Sequence, residues 1–545
     1  MRLPGVFLIA AVFSFFVFEG RAQNYYWVGF TDKNNSEFAL SDPGKYLSER
    51  AIQRRQRQQI AIDSLDLPVN KSYIKAVTDL GVEFFHSSKW LNGITVKVSI
   101  DSFEYKVKQL PFVKEVQHTK DAGYKSAHEK FELAEVAENV PIDGSLFGLS
   151  VYQTSIMNSQ YLYDNGYKGE GIRIAVLDAG YQNADFYFSF DSLRANGQIL
   201  GTRDFVDPTG DIYRTHWHGM GVLSCMGGNV PGRLIGTATK ADYWLLRSEN
   251  ANTEFLVEED NWVVAAEFAD SVGCDVINSS LGYTTFYNTA MNHVYAEMDG
   301  KTTRATRGAN VAAARGMLVF VSAGNEGNSS WYHISAPSDG EKVIAVGAVS
   351  QDSVPANFTS RGPAFGGAVK PNISGMGVMV YMQVGVDLGY SNGTSFSSPL
   401  VAGAAASLWS AFPDASALQI KQVLEESAHL HNAPNNDVGY GIPDFQKAFF
   451  ALKSLKTPSR ESTKNWNAFP NPLGETLIIQ NTNAQTIDKI SLSIFTTEGK
   501  LLKKWIKPGS QQIVLNDIND LPAGILLLKI ESENTSETIR LIKQK

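Results

Sequence analysis

The chain has 545 residues, more than one ordinary domain contains, so two or three domains are expected. Its 43% hydrophobic and 19% charged residues are typical of a folded protein and exclude a largely disordered one. A net charge of −8 argues against nucleic acid as a partner, because phosphates demand a basic face.

The first 22 residues predict a secretory signal peptide. They begin Met-Arg, continue as an apolar segment over residues 6–18, and end with Gly20 and Ala22 at the small-residue positions before a cut preceding Gln23. The apolar segment is too short to span a bilayer, although a retained anchor is the alternative interpretation. Since no later stretch is long and apolar enough either, we expect no transmembrane anchor.

Residues 23–125 predict a small α+β module, because helical and strand patterns are interleaved over this length. The pattern of residues 71–80 is that of a short helix, and residues 93–99 and 112–116 predict strands. The basic run at residues 54–57 is either a processing site or, as we expect, a solvated helix face. The polar and acidic residues 126–147 predict a linker.

Residues 148–452 predict an α/β domain with a parallel sheet covered by helices, since short apolar runs alternate with helical stretches. In such a sheet, ligands bind at the carboxyl ends of the strands. The predicted strands are residues 173–177, 242–246, 275–278, 317–322 and 342–349, and the predicted helices are residues 257–272, 305–314, 397–411 and 416–428.

The last part of the chain predicts a small all-β sandwich. Residues 453–467 are polar without periodicity and predict a second linker. Residues 468–545 contain six short alternating stretches that are separated by Gly and Pro turns, which is the pattern of antiparallel strands.

Two segments of the α/β domain supply a candidate base and its orienting group. The buried strand at residues 173–177 runs into Asp178, which is either a loop cap or the carboxylate that orients a base. His218 lies before Gly219 at the start of a helix, and the near-neutral pKa of imidazole suits a general base. His216 and His218 could instead bind a metal, but no third ligand is nearby.

Two further segments supply a candidate nucleophile and an oxyanion donor. The strand at residues 317–322 runs into Gly-Asn-x-Gly, where Asn325 is either an ordinary turn residue or a side-chain donor to a developing oxyanion. Ser395 lies where a turn enters an Ala-rich helix with an early Pro399. It is therefore either a helix cap or, given a base elsewhere, a nucleophile.

The string Gly-Thr-Ser-x-x-Ser-Pro-x-Val-Ala-Gly at residues 393–403 resembles the nucleophile motif of the subtilisin-like serine peptidases, the S8 family. The chain order Asp, His, Ser is also that of subtilisin. The resemblance covers residues 148–450. It implies that Asp178 orients His218, that His218 is the base for Ser395, and that Asn325 lies in the oxyanion hole.

The resemblance also implies a substrate cleft. Two segments would hold an extended peptide by backbone pairing, and their glycines would leave room for the side chain before the cut bond. These segments comprise Ser280, Leu281 and Gly282 on one side and Ser322, Ala323 and Gly324 on the other.

The sequence departs from the family pattern at three places. Met220 and Gly221 stand where threonine and histidine are usual after His-Gly, which predicts altered packing near the cleft. Ala179 replaces a Ser or Thr and so removes a hydroxyl but no charge. Phe396 replaces a methionine of similar volume.

Residues 24–124 resemble the propeptides of this family, through Ser-Lys-Trp-Leu-Asn-Gly at residues 88–93 and Leu-Pro-Phe-Val at residues 110–113. The likeness implies a segment that assists folding and blocks the cleft until it is cut within about residues 117–147. The chain's own propeptide would then be an intramolecular inhibitor.

The C-terminal residues resemble a sorting domain of the type IX secretion system. The resemblance lies in Phe-Pro-Asn-Pro at residues 469–472, the Gly-Lys turn at 499–500, Leu-Pro-Ala-Gly at 521–524 and the basic end at 539–543. It implies a partnership with the type IX machinery and export across the outer membrane of a Gram-negative bacterium, to the cell surface or the medium.

The sequence therefore predicts a secreted serine endopeptidase that acts on polypeptides and needs no cofactor. A catalytically silent surface adhesin on the same scaffold is the alternative, and an α/β-hydrolase esterase is a third. Structural calcium is common in the family, but no Asp-x-Asp-x-Asp-Gly loop appears. The pairing of Cys225 and Cys274 stays open, and no Cys/His metal spacing is present.

Overall fold

The computed structural model describes residues 23–124, 130–131, 135–136, 145–456, 466–482, 489–497, 499–532 and 536–543. They form two compact units, of which the first ends at Leu452 and the second begins at Lys453. The predicted signal peptide and most residues of both predicted linkers lie outside the described ranges.

The N-terminal module is the α+β unit that the sequence predicts. Its antiparallel sheet has the strand order β2-β3-β1-β4, and the apolar side chains of the sheet and helices close a small core of their own. The elements are β1 (Asn24–Phe30), α1 (Glu49–Arg57), α2 (Lys71–Thr78), β2 (Glu83–Ser88), β3 (Gly93–Val98), α3 (Phe103–Val107) and β4 (Val113–Lys120).

The central domain is built on a seven-stranded parallel sheet, as the strand–helix alternation predicts. The strands of the whole domain, which include five outside the main sheet, are β5 (Glu135–Val136), β6 (Arg173–Asp178), β7 (Ile199–Asp204), β8 (Asn229–Val230), β9 (Leu234–Ile235), β10 (Asp242–Arg247), β11 (Val276–Ser279), β12 (Leu318–Ser322), β13 (Ile344–Val349), β14 (Ile373–Met376), β15 (Val380–Val384) and β16 (Asp387–Ser391). The order in the main sheet is β14-β13-β12-β11-β6-β10-β7, and β15, β16 and β5 form a small antiparallel sheet.

Helices cover both faces of the main sheet. They are α4 (Val151–Ser155), α5 (Gln160–Asp164), α6 (Asp191–Ala195), α7 (His218–Gly227), α8 (Val257–Ser271), α9 (Arg304–Ala314), α10 (Thr394–Ala411), α11 (Ala417–Ser427) and α12 (Phe445–Lys456). Alternate residues of β6 point to opposite faces, so Val176 joins the core beneath α7 and α10 while Leu177 joins the core beneath α8 and α9. Both faces of the sheet are therefore buried, which accounts for the continuous apolar runs of its strands.

The N-terminal module docks against α8 through buried polar contacts. The Glu267 carboxylate accepts hydrogen bonds from the Ser88 hydroxyl at 2.5 Å and from the backbone N–H groups of Lys89 and Trp90 at 2.9 and 3.0 Å. The Thr95 hydroxyl donates to Asp260 at 3.0 Å. Since polar groups are buried at low cost only when paired, these contacts fix one docking position for the module.

The expectation of a solvated basic helix face at residues 54–57 is wrong for two of its arginines. Arg54 and Arg55 are 0% and 1% exposed, and both form ion pairs with Asp270 of α8. Arg55 also pairs with Asp66 at 2.6 Å, while Arg57 stays half-exposed. A basic run is a solvated face only when no acidic partner covers it, and here the partner comes from more than 200 residues away.

The C-terminal unit is a small sandwich of two antiparallel sheets. Their strand orders are β17-β18-β21 and β20-β19-β22-β23, and the inward-facing alternate residues of both sheets form one apolar core. The strands are β17 (Trp466–Phe469), β18 (Leu477–Asn481), β19 (Lys489–Thr496), β20 (Leu501–Pro508), β21 (Gln512–Leu515), β22 (Gly524–Glu531) and β23 (Ser536–Lys543). Strand β17 begins in the stretch that the sequence predicts as linker. Its own residues show no strand pattern, and the strand is stabilised by pairing with β18.

Cys225 and Cys274 are both buried and unpaired, and burial raises the pKa of each thiol. No helix within the described ranges is both long and apolar enough to cross a membrane.

Candidate active site

Four predicted residues lie where strands of the main sheet end and helices begin. Asp178 is the last residue of β6, and His218 is the first residue of α7. Ser395 is the second residue of α10, and Asn325 follows the end of β12. Because β6, β11 and β12 are parallel neighbours, their carboxyl ends share one edge of the sheet, where a ligand is expected.

Asp178 and His218 form a buried hydrogen-bonded pair. The Nδ1 of His218 lies 2.7 Å from Oδ1 of Asp178, and the two residues are 2% and 0% exposed. A carboxylate at Nδ1 fixes the tautomer that carries its proton there, which leaves Nε2 as an acceptor. The pair has the chemistry of a base and its orienting group.

The Asp178 carboxylate keeps one oxygen unpaired. Its Oδ1 also accepts the Ala179 N–H at 2.7 Å, whereas Oδ2 has no hydrogen-bond partner among the described residues. A serine or threonine at position 179 would carry a hydroxyl beside this carboxylate, and alanine does not. The departure at Ala179 therefore coincides with an unsatisfied acceptor.

Ser395 is buried beside the cleft, with a loosely held hydroxyl. Its Oγ donates to the Ser280 carbonyl at 3.4 Å, and the Ser280 hydroxyl in turn donates to the Ser395 carbonyl at 2.7 Å. Within the described ranges no hydrogen bond joins Ser395 to His218. The Phe131 ring lies on the His218 imidazole, with centroids 4.0 Å apart and planes at 30°. A side chain from the segment after the N-terminal module thus covers the imidazole.

The orientation of the Asn325 amide is fixed by its neighbours. Its Oδ1 accepts the backbone N–H and the hydroxyl of Thr394, each at 2.9 Å. Because a backbone N–H only donates, the oxygen must face Thr394, and the Nδ2 group is turned away from it. The Ser395 N–H, in the first turn of α10, has no intrahelical acceptor. These two groups are donors suited to a developing negative charge.

The predicted peptide-binding segments line a cavity of about 380 Å³ beside Ser395. Five of the six predicted residues line it: Ser280, Leu281, Gly282, Ser322 and Gly324. Ala323 does not line it. Its N–H donates to the Val346 carbonyl at 2.9 Å, and its carbonyl accepts from Ser335 within the protein.

Two glycines keep this cavity open. A Cβ on Gly282 would lie 2.2 Å from Oγ of Ser335, and one on Gly324 would lie 2.7 Å from Oγ of Ser360. Gly324 also has a φ of +109°, a backbone conformation that favours glycine. The hydroxyl of Ser335, at the cavity wall, is buried and without a hydrogen-bond partner over the described ranges. No pattern in the sequence signals this hydroxyl.

The space beside Gly221 is occupied by a methionine side chain. A Cβ there would meet the Met382 side chain at 3.1 Å. Phe396 packs against the other side, with its ring 5.5 Å from His218.

Sequence reasoning missed an acidic cluster that borders the same cavity. Oxygen atoms of Glu249, Glu254 and Glu258 lie within 4.8 Å of one another, and this is the group among the described residues that could hold a metal ion. The ammonium of Lys130 pairs with all three. In the sequence, the i, i+4 spacing of Glu254 and Glu258 indicates that two of these carboxylates lie close together, but nothing connects Lys130 to them.

The charges of this cluster perturb one another strongly. Burial raises the pKa of Glu254 to about 7, against the opposing effect of Lys130, and raises the pKa of Glu258 well above its usual range. Burial alone lowers the pKa of the Lys130 ammonium, but the three carboxylates outweigh it and raise that pKa well above its usual value. The lysine therefore stays charged.

Comparison with known proteins gives three family matches along the chain. Residues 169–441 match the subtilase family (peptidase S8). Residues 25–132 match the peptidase S8 propeptide domain of Bacteroidota, and residues 467–544 match a secretion-system C-terminal sorting domain. The matches fall on the central domain, the N-terminal module and the C-terminal sandwich.

Individual relatives agree with these matches. Subtilisin E of Bacillus subtilis is 28% identical over 323 residues, which cover 58% of this chain and 72% of that protein. The serine protease AprX of the same species is 28% identical over 288 residues, 47% of this chain and 61% of its own length. The crystal structure of the epidermin leader peptide processing serine protease from Staphylococcus aureus shares the fold, with a TM-score of 0.53, 16% identity, and 78% and 99% coverage of the two chains. The chain therefore belongs to the subtilase family, as a subtilisin-like serine peptidase with an S8 propeptide and a sorting domain for type IX secretion.

Proposed function

We propose that the protein is an exported endopeptidase that cleaves polypeptides through an acyl-enzyme on Ser395. The observation that carries the proposal is the buried hydrogen bond between Asp178 and His218 at the sheet edge where α10 presents Ser395. A serine hydroxyl needs such a base, because it is a weak nucleophile alone.

In the acylation step, Oγ of Ser395 attacks the peptide carbonyl carbon and its proton passes to Nε2 of His218. Asp178 stabilises the imidazolium through Nδ1. The carbonyl oxygen becomes an oxyanion that accepts from Nδ2 of Asn325 and the N–H of Ser395. When the carbonyl re-forms, the C–N bond breaks and His218 gives its proton to the leaving amine. Water then attacks the ester by the same route and releases the acid and Ser395.

The described form fits an inhibited precursor. Phe131 lies on His218 and Lys130 lies at the wall of the cavity in the acidic cluster, so a peptide substrate could not occupy the positions of these two side chains. The propeptide match ends at residue 132, and both residues therefore belong to its last part. We propose that the hydrogen bond between Ser395 and His218 forms once this segment has been cut and has left.

The proposal is tested with Ser395→Ala and the control Ser397→Ala in the exported protein, from which an added protease removes the propeptide wherever the variant does not cut it itself. The hydroxyl of Ser397 donates to the Thr394 carbonyl of its own helix, so its loss leaves the mechanism untouched. We expect wild type and the control to react with a fluorophosphonate and to digest casein, and Ser395→Ala to lose about 10⁶ in kcat.

Three outcomes would contradict the proposal. Correctly processed wild type that neither reacts nor digests casein would favour the silent adhesin. Turnover of a short-chain ester without casein cleavage would favour an esterase. Full activity in Ser395→Ala would remove this residue from the nucleophile role.

A further inference from the structure

The acidic cluster, named here the acidic subsite, consists of Glu249, Glu254 and Glu258. Glu249 follows β10, and Glu258 lies in the first turn of α8. The side chains of Glu249, Glu254 and Glu258 are 3%, 21% and 1% exposed. Three carboxylates this close and this buried repel one another and lose hydration, and either a proton or a cation relieves that repulsion.

That cation is present, and it comes from outside the peptidase domain. Nζ of Lys130 lies 2.6 Å from Glu254 and 2.7 Å from Glu258, and it also pairs with Glu249. An ammonium has three N–H donors, and each of the three carboxylates takes one. Within the described ranges, every ion pair of the acidic subsite is made to Lys130.

The acidic subsite opens into the substrate cleft. Lys130, Glu249 and Glu254 line the same cavity of about 380 Å³ as Gly282 and Ser395. The Tyr283 hydroxyl donates to Glu249 at 3.1 Å and holds that carboxylate at the cavity wall. Lys130 precedes Phe131, whose ring covers His218. A chain segment that places one side chain on the imidazole and the preceding lysine in the acidic subsite follows a route that a substrate could follow.

We propose that the acidic subsite selects polypeptides with a lysine at the position that Lys130 occupies, so that the propeptide segment imitates the preferred substrate. The inference rests on the proposed function and names its substrate class. When the segment leaves, the carboxylates lose their cation, and a substrate lysine restores it. Lysine is favoured over arginine, because the three donors of a compact ammonium match three converging carboxylates, whereas the planar fork of a guanidinium is larger and best matches a carboxylate bidentately.

The test uses the processed enzyme and quenched fluorescent peptides with the sequence of residues 126–135. Position 130 carries lysine, arginine, norleucine or glutamate. Norleucine keeps the aliphatic stem and removes the charge. Because a hydrogen bond to a charged group is worth a factor of about 10–100 in binding, we expect lysine to exceed norleucine in kcat/KM by that factor, with arginine between them and glutamate lowest.

Matched variants locate the effect. Glu254→Gln, in the more exposed member of the acidic subsite, should reduce the ratio of lysine to norleucine at least fivefold, and Glu258→Gln is a second test should one variant fold poorly. Glu326→Gln is the control, because this carboxylate lines the same cavity but bonds the Ser329 hydroxyl at 2.6 Å. It should keep the lysine preference.

The outcomes separate this inference from the proposed function. An enzyme that reacts with a fluorophosphonate and digests casein, but cleaves the lysine and norleucine peptides equally, overturns the inference and leaves the function standing. An enzyme inert in all of these assays overturns the function itself. An enzyme that EDTA inactivates and that shows no lysine preference also overturns the inference.

Discussion

Replacing Arg54 by methionine should loosen the propeptide from the peptidase domain. Arg54 of α1 is fully buried, pairs with Asp270 and donates to the Arg315 carbonyl at 3.2 Å. Methionine retains most of the volume but leaves Asp270 with one fewer partner. The Asp270 carboxylate keeps Arg55 and Lys89 as partners, so the loss is that of a hydrogen bond to a charged group, about 1.5–3 kcal/mol. The free energy of undocking should fall by that amount, which is about one to two powers of ten in the opening constant.

Hydrogen exchange measures this opening constant directly. A Ser395→Ala background keeps the propeptide attached, as an intact-mass measurement verifies. The control is Arg57→Met in the same helix, where the arginine is 45% exposed and lies 3.7 Å from Asp275. Such an exposed pair contributes about 0–1 kcal/mol. Equal loss of α1 protection in both variants, or unchanged protection in Arg54→Met, would refute the reasoning that the buried pair holds the module.

Three further predictions concern the site. Asn325→Ala should lower kcat by about 10²–10³ with little change in KM, the loss seen in subtilisin when one oxyanion donor is removed; a change confined to KM would contradict that role. Gly282→Ala should lower kcat/KM for peptides with a bulky residue before the cut bond while sparing small ones, since the new Cβ would lie 2.2 Å from Oγ of Ser335; an equal effect on both would show that the cavity does not hold that residue. With Lys130 in place, burial raises the pKa of Glu254 to about 7, and the pKa rises further once that ammonium, which lowers it, has left, so the carboxylate is lost as the pH falls. The ratio of lysine to norleucine cleavage should therefore shrink as the pH falls toward 7 and below. Glu249, Glu258 and the substrate ammonium are the charged groups that face Glu254, and a flat ratio would contradict the assignment.

Much of the site could be predicted from the sequence because its residues lie at the ends of local elements. A β-branched and apolar run ends at Asp178, and a Gly-rich turn enters the helix of Ser395. Both patterns depend on backbone preferences of adjacent residues, which the sequence displays directly. Four such segments in one order predict a shared sheet edge, since the carboxyl ends of parallel strands lie together.

The contacts that set the state of the site could not be predicted in this way. The Asn325 amide is oriented by Thr394, 69 residues further along the chain. The imidazole of His218 is covered by Phe131 from a stretch that looks like a polar linker. Neither partner carries a local signal for its role, because each is defined by where other elements pack.

The sequence by itself determined the order of domains, the parallel sheet and the identity of the four residues at its edge. Only the tertiary structure decided which charges are buried and what neutralises them. Arg54 and Arg55 form a docking contact because Asp270 faces them, and Glu254 belongs to a lysine-binding subsite because Glu249, Glu258 and the cleft surround it. Backbone propensities act between neighbours in the chain, whereas burial and charge compensation depend on residues that only folding brings together.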